Sequence, residues 1–239
     1  MTLSPLPASF ETTRNALHQI AFFAVSPTRY KAHGRMGLTA TPGGYGTPEF
    51  EGRVVRVEGG LLVDEQDGNI ATQSITTIRA ASEFFGNEYE AEWFADFHDP
   101  LTPADPDAEL EVDDVAAQAI GDWFKIGVDV LNELHAHGQE GDDVSEVQLW
   151  PEHFDPATEL GDYDKAQRAS FGASPGDGLH PEPYLFVASW SDVDRVNPFW
   201  NETSFNGGSL TYQEILASPD PHDRALEFLV KGYNVLHLS

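Results

Sequence analysis

The sequence predicts an α+β fold in which an antiparallel sheet is covered by about three main helices. Two repeating patterns of apolar residues support this prediction. Apolar residues recur at helical spacing near both ends and in the middle of the chain, and they alternate with polar residues in several short segments between these helices. Turns rich in glycine and proline separate the alternating segments, which favours antiparallel pairing of neighbouring strands.

The helices are predicted from their capping residues and apolar stripes. They are expected at about residues 10–25, 80–85, 114–138 and from 220 onward. The three longer ones each follow a side chain that can cap the first turn, namely Ser9, Asp113 or Asp114, and Asp220. Pro27 is expected to end the first helix, and Gly138 is expected to end the middle one.

Strands are predicted where apolar residues alternate between turn residues. Two strands are expected within residues 53–63, on either side of a Gly59-Gly60 hairpin turn. Further strands are expected at about residues 70–78, 144–150, 170–174, 184–190 and 203–211. We expect the strands of the N-terminal half and those after residue 144 to join one sheet.

The chain of 239 residues is long enough for one large domain or two small ones. A single domain over residues 1–239 is favoured, because the first third alone would form a marginal core. Residues 86–114 are acidic and contain three prolines, so we expect a long surface loop that Trp93, Phe94 and Phe97 anchor. The alternative is two subdomains, residues 1–85 and 115–239.

The net charge of −27 is unevenly distributed. Residues 1–79 contain seven basic and seven acidic side chains, whereas residues 80–164 contain one basic and 24 acidic side chains, a net charge of −23. This acidic middle third is a solvated face, an adaptation to high salt, or a docking face for a basic protein partner. No cluster of lysine and arginine is present that would neutralise phosphates, so nucleic-acid binding is not expected.

The absence of cysteine excludes disulfides, thiolate metal sites and a cysteine nucleophile. No segment approaches about 18 consecutive apolar residues, and residues 1–15 do not follow the pattern of a secretory signal. We therefore expect a cytoplasmic protein that does not bind membranes.

The stretch LWPEHFD, residues 149–155, contains the densest set of reactive side chains. His153 and Asp155 are two positions apart, so they share a face if the backbone is extended. An imidazole with carboxylates is a donor set for Zn, Mn or Fe(II). A metal held here would activate a water molecule, with Glu152 as the general base beside His153.

The same stretch also has an interpretation in which it only packs. Trp150 and Phe154 would then be core anchors, and His153 would bond to a backbone carbonyl. Asp155 would cap a helical turn over residues 156–159. Both interpretations remain open at this point.

A second candidate is ASFGASPGDGLHPEPY, residues 169–184. Its turn contains Asp177, His180 and Glu182, and the two prolines beside Glu182 restrict its backbone. A plain hairpin loop would explain the same residues. Tyr184 follows directly, and Tyr45 lies in a glycine-rich loop at residues 39–48 that could cover a ligand.

The motifs WPEHFD, ASFGASPGD and PEPYLFV, in this order and spacing, resemble the pattern of a family of uncharacterised bacterial proteins. The resemblance covers roughly residues 145–215 and implies no known reaction. It points to a set of positions without giving their roles: Trp150, His153, Phe154, Asp155, Ser174, Gly176, Asp177, Glu182 and Tyr184.

Two classes of function follow from these observations. The first is a small-molecule binding protein or an enzyme, in which both motifs form one pocket. Its predicted divalent-metal ligands are His153, Asp155, Asp177 and Glu182, and its predicted ligand-binding residues are Trp150, Asp177, Glu182, Tyr184 and Tyr45. The second class is a non-enzymatic interaction protein that docks a basic partner on its acidic middle third.

Overall fold

The computed structural model describes residues 3–93 and 101–238 and shows a mixed α+β chain with antiparallel sheets. The described strands form two sheets, so the expectation of one shared sheet is wrong. Contacts between Cα atoms divide the chain into two compact units. The N-terminal unit comprises residues 6–122 and 149–154, and the C-terminal unit comprises residues 1–5, 123–148 and 155–239. The single domain stays a prediction.

The N-terminal unit combines a long helical segment with a meander of five strands in the order β1-β2-β3-β4-β5. Its elements are α1 (Phe10–Ile20), a π-helix (Ala21–Val25), α2 (Ser26–His33), β1 (Thr39–Thr41), β2 (Gly44–Gly46), β3 (Arg53–Glu58), β4 (Leu61–Gln66), β5 (Asn69–Ser74) and α3 (Ile78–Phe84). Helix α4 (Asp114–Leu134) contributes residues 114–122 to this unit. The predicted Gly59-Gly60 hairpin is present, with Glu58 paired to Leu61.

The first helical segment is longer than predicted. Pro27 lies in the first turn of α2, directly after the π-helix, and the segment continues to Gly34. Pro27 has no N–H to donate to the carbonyl oxygen of Phe23 four residues earlier, and this oxygen instead accepts from the hydroxyl of Ser82 at 3.1 Å. The segment ends at Gly34 because this residue takes a left-handed conformation, with φ of 68°.

The acidic segment forms no helix or strand over residues 86–93 and 101–113. Trp93 packs edge-on against Phe22 and Tyr30, with ring centroids 6.0 Å and 5.5 Å away. Phe94 and Phe97, the other two expected anchors, lie outside the described residues.

The C-terminal unit contains an antiparallel sheet in the order β11-β10-β9-β8-β6. The elements after α4 are a 3₁₀ turn (His135–His137), β6 (Asp143–Val144), β7 (Gln148–Trp150), β8 (Asp155–Gly161), β9 (Ala169–Ser174), β10 (Tyr184–Ser189), β11 (Gly207–Thr211), α5 (Tyr212–Leu216) and α6 (Pro221–His237). Strand β7 ends at Trp150, and its last two residues belong to the N-terminal unit.

Strand β8 corrects the prediction of a helical turn capped by Asp155. Its residues are almost all buried, so no polar alternation marks it as a strand in the sequence. Pro156 is tolerated because the ladder between β8 and β9 begins one residue later, at Ala157.

The two faces of the C-terminal sheet differ. Helix α4 packs on one face, where the indole N–H of Trp123 donates to the carbonyl oxygen of Ala173 at 3.1 Å. Because side chains alternate along a strand, Ser174, Tyr184 and Phe186 lie on the opposite face. Phe186 is half-buried there. We call this second face the open face.

Among the described residues, no helix is both long and apolar enough to cross a lipid bilayer.

Candidate functional site

Four ionisable side chains meet at one end of the open face. We call Asp177, His180, Tyr184 and Glu202 the polar cluster. Tyr184 is the first residue of β10 and is paired with Ser174 at the end of β9. Asp177 and His180 lie on the loop between these strands, and Glu202 lies on the loop before β11. All four residues belong to the C-terminal unit.

Asp177 organises its own loop and contacts the strand beside it. Its carboxylate accepts the backbone N–H groups of Leu179 at 2.6 Å and His180 at 2.8 Å, and the hydroxyl of Tyr184 at 2.8 Å. Burial raises the pKa of Asp177, but these hydrogen bonds outweigh burial and hold the pKa below its usual range. Asp177 is therefore ionised at neutral pH.

Glu202 is the carboxylate of the polar cluster that accepts the most hydrogen bonds from the protein, and only 10% of its side chain is exposed. Its oxygens accept from the backbone N–H groups of Thr203 at 2.7 Å and Ser204 at 3.0 Å, and from the hydroxyls of Ser204 at 2.9 Å and Ser209 at 3.1 Å. Burial raises its pKa, but these four donors dominate and lower the pKa to about 2.

His180 lies between the two carboxylates. Its Nδ1 is 3.3 Å from both oxygens of Asp177, and its Nε2 is 3.2 Å from Oε2 of Glu202. A neutral imidazole has one N–H, so both contacts are hydrogen bonds only when both nitrogens carry a proton. His180 therefore bridges the loop that contains Asp177 and the loop that contains Glu202.

Tyr184 completes the polar cluster on the strand side. Its ring lies 4.5 Å from that of His180, and its hydroxyl is within reach of Ser174. Burial raises the pKa of Tyr184, and the hydrogen bond to Asp177 and the nearby charge of Asp155 raise it further. The phenol therefore stays protonated and acts as a donor.

The same unit contains a second set of the same residue types, which we call the closed set: Asp142, Tyr233 and His237. The hydroxyl of Tyr233 donates to Asp142 at 2.6 Å, and Nε2 of His237 lies 3.3 Å from the same carboxylate. The side chains of Asp142 and His237 are only 4% and 10% exposed. The closed set ties the end of α6 to the loop before β6.

Exposure separates the polar cluster from the closed set. The side chains of Asp177 and His180 are 44% and 26% exposed. A solute can therefore reach the carboxylate and the imidazole of the polar cluster, whereas the corresponding groups of the closed set are covered. This difference marks the polar cluster as the better candidate for a binding site.

The predicted metal ligands differ in their surroundings: His153 is exposed, whereas Asp155 is buried. Glu182 bonds to the side-chain amide of Gln213 at 3.0 Å and 3.1 Å. Within residues 3–93 and 101–238, no group of three or more histidine, aspartate or glutamate side chains is arranged to hold a metal ion.

Another histidine, His18, organises the LWPEHFD motif within the N-terminal unit. Its Nε2 contacts the carbonyl oxygens of Pro151 at 3.0 Å and Glu152 at 3.1 Å. Its ring stacks on Phe154 with centroids 5.1 Å apart and an interplanar angle of 8°. Phe154 itself has a φ of 58°, so the backbone turns sharply at this point. The ring is neutral, because burial lowers the pKa of His18 to about 4.

Tyr45 and Trp150 also have defined environments in this unit. Tyr45 is fully buried in β2, where its hydroxyl donates to the carbonyl oxygen of Leu17 at 2.7 Å and its ring packs edge-on against Phe154. It therefore belongs to the core and does not lie on an exposed covering loop. Trp150 is half-buried, and its carbonyl oxygen accepts from the backbone N–H of Phe154.

Glu152, the predicted general base, is half-buried, and burial raises its pKa. Its Oε2 is buried and has no hydrogen-bond partner among the described residues. We expect Glu152→Gln to increase the free energy of unfolding by about 1 kcal/mol at pH 7, because the amide removes a half-buried charge whose Oε2 has no partner among the described residues. Chemical denaturation would measure this, with the exposed Glu146→Gln as the matched control.

The size of this effect depends on pH. A carboxyl group with a raised pKa costs the folded state stability as pH rises through that pKa. The gain in Glu152→Gln should therefore be absent below the ordinary carboxyl pKa of 4.5 and present at neutral pH. A loss of stability in the variant at pH 7 would contradict this explanation.

Sequence reasoning missed two of the organising residues. Glu202 lies 22 positions from His180, and nothing in the sequence between them indicates that the two loops meet. His18 contacts Pro151 and Glu152, which lie more than 130 positions away in the sequence. No local pattern could have indicated either contact.

The chain matches no family model, no curated protein and no solved structure. The resemblance of its motifs to a family of uncharacterised bacterial proteins therefore stays a prediction.

Proposed function

We propose that the C-terminal unit binds a small organic molecule at the polar cluster. The observation that supports this most strongly is the contrast in exposure with the closed set. Both sets are built from aspartate, histidine and tyrosine, but solvent reaches Asp177 and His180 and does not reach Asp142 and His237. A set needed only to fasten a loop would be as well covered as the closed set.

The groups that line the polar cluster indicate the chemistry of the ligand. Asp177 is an ionised acceptor that solvent reaches, so it favours hydroxyl or amine donors. The ring of Phe186 lies 6.2 Å from those of Tyr184 and Phe205 along the open face, and provides an apolar surface on the same face. A compact molecule with an apolar ring and several hydrogen-bond donors fits this combination.

A paired substitution tests the proposal. A fragment library rich in polyols and amines would be screened against the protein by ligand-observed NMR. We expect hits that His180→Gln weakens at least about tenfold, a loss of about 1.4 kcal/mol of binding free energy. His237→Gln is the matched control and should lower only the melting temperature. Equal loss of binding in both variants, or no hits that depend on His180, would contradict the proposal.

The second proposal is the acidic docking face for a basic protein partner. It is supported by a cleft of about 600 Å³ in the N-terminal unit that Glu109, Glu111 and Asp113 line beside the start of α1. The carboxylates of this cleft are exposed. Binding of polylysine that is unchanged in the Glu109→Gln, Glu111→Gln double variant would contradict this assignment.

The catalytic roles predicted for Glu152 and His153 rest on the sequence alone. They remain proposals, and a reaction is not needed for binding at the polar cluster.

A further inference from the structure

Strand β5 forms the outer edge of the N-terminal sheet and is exposed to solvent. Strand β5 pairs with β4, and no other described strand pairs with it. All six of its residues, Asn69–Ser74, are exposed. Both faces and one edge of this strand are therefore open to solvent.

The hairpin before β5 determines which backbone groups are free. Asp67 and Gly68 form its turn and have positive φ values of 51° and 80°, as a two-residue type I′ turn requires. In such a hairpin the closing pair, here Gln66 and Asn69, is hydrogen bonded. Alternate residues then bond to β4, so the N–H and C=O groups of the remaining three point outward: Ile70, Thr72 and Ser74.

The edge lacks the features that normally prevent strands from pairing. Proteins protect such edges with charges, prolines or bulges. Residues 68–78, GNIATQSITTI, contain no charged residue and no proline. No charged side chain and no proline of this segment would therefore oppose a second strand that pairs with β5.

The local charge indicates which partner fits. The chain carries −27, but residues 1–79 contain equal numbers of basic and acidic side chains. The acidic residues of β4 are paired with β3, since Asp64 bonds to Arg53 at 2.6 Å and Glu65 to Arg56 at 2.9 Å. Two copies of this acidic chain can therefore approach each other at this uncharged strand, whereas a basic partner would be attracted to the acidic face instead.

We propose that β5 is a self-association edge, at which two copies of the chain pair antiparallel. Centring the two-fold axis on Thr72 uses all three outward residues of each copy, because Ile70 then faces Ser74 of the second copy. The two five-stranded sheets would become one continuous sheet. This inference concerns the N-terminal unit and is independent of ligand binding at the polar cluster.

The expected association is weak and depends on salt. One pair of six-residue strands buries less than the roughly 1,200 Å² that stable complexes bury. Each copy also carries a large negative charge, whose repulsion salt screens over about 10 Å at 0.1 M. The dimer fraction should therefore increase with protein concentration and with added salt.

Engineered cysteines provide a direct test because the natural chain has none. Facing residues of a hydrogen-bonded antiparallel pair have Cα atoms about 5.5 Å apart, within the range that a disulfide spans. Thr72→Cys should form a disulfide-linked dimer in a thiol–disulfide buffer. Thr203→Cys, at an exposed position of the other unit, is the matched control and should remain monomeric.

A second pair of variants tests the backbone contact. Thr72→Pro removes an outward N–H that the monomer does not use, so it should abolish the dimer seen by sedimentation at high salt and leave the melting temperature unchanged. Thr72→Ala keeps this N–H and should dimerise. A chain that is monomeric at all concentrations and salts, with no crosslink through Thr72→Cys above that of the control, would overturn the proposal. So would a dimer that persists in Thr72→Pro.

Discussion

Replacing His18 with alanine should lower the free energy of unfolding by about 3 kcal/mol at pH 7. The substitution leaves the carbonyl oxygens of Pro151 and Glu152 without their donor and opens a cavity beside Phe154. Urea denaturation would measure the loss. The exposed His137→Ala is the matched control and should change the free energy by less than about 0.5 kcal/mol.

The pH dependence gives this prediction a second test. The folded-state pKa of His18 is about 4, below the ordinary value of 6.5, so the unfolded chain binds the proton more tightly. The contribution of the neutral ring is complete above pH 6.5 and is lost as pH falls from 6.5 to 4, by about 3 kcal/mol. His18→Ala should lack this component. An identical decline in the variant and the wild type would contradict the assignment.

Glu202→Gln should lower the free energy of unfolding by about 2 kcal/mol at pH 7. The amide has almost the same shape, but it replaces an ionised acceptor of four hydrogen bonds and turns an N–H₂ group towards donors. Chemical denaturation of Glu202→Gln and of the exposed Glu227→Gln would separate this effect from a general loss of charge.

The free energy of unfolding at acidic pH tests whether the charge of Glu202 causes this effect. The pKa of Glu202 is about 2 in the folded chain, below the ordinary value of 4.5. Its contribution is complete above pH 4.5 and is lost as pH falls through that range towards 2. Glu202→Gln should therefore approach the wild type in stability as the medium is acidified. A difference that stays constant from pH 7 to pH 2 would show that the carboxylate charge is not the cause.

Local signals explain why much of the fold was predictable. The Gly59-Gly60 turn, the capped helices α4 and α6, and the strands β9 and β10 each depend on residues within a few positions of one another. Strand β8 was not predictable because it is buried on both faces and begins beside Pro156, features that suggest a capped helical turn. The π-helix before Pro27 likewise has no local marker.

The candidate site could be predicted only in part, for the same physical reason. Asp177 and Tyr184 were predicted as ligand-binding residues, and they contact each other within the hairpin whose loop, residues 175–183, joins β9 to β10. Glu202 was not, because its contact with His180 depends on how β11 pairs with β10. A metal site shared by His153 and Glu182 stays a prediction, because spacing along the chain does not determine how distant segments pack.

Chemical-shift mapping of the backbone amides with the strongest fragment hit tests whether the polar cluster is a binding site. Binding there should shift the resonances of the backbone amides that donate hydrogen bonds to its carboxylates, namely those of Leu179, His180, Thr203 and Ser204. The resonance of the Gln139 amide, which donates to Asp142, should be unchanged. Shifts confined to other surfaces, or no saturable shift with any hit, would show that the polar cluster only fastens its loops.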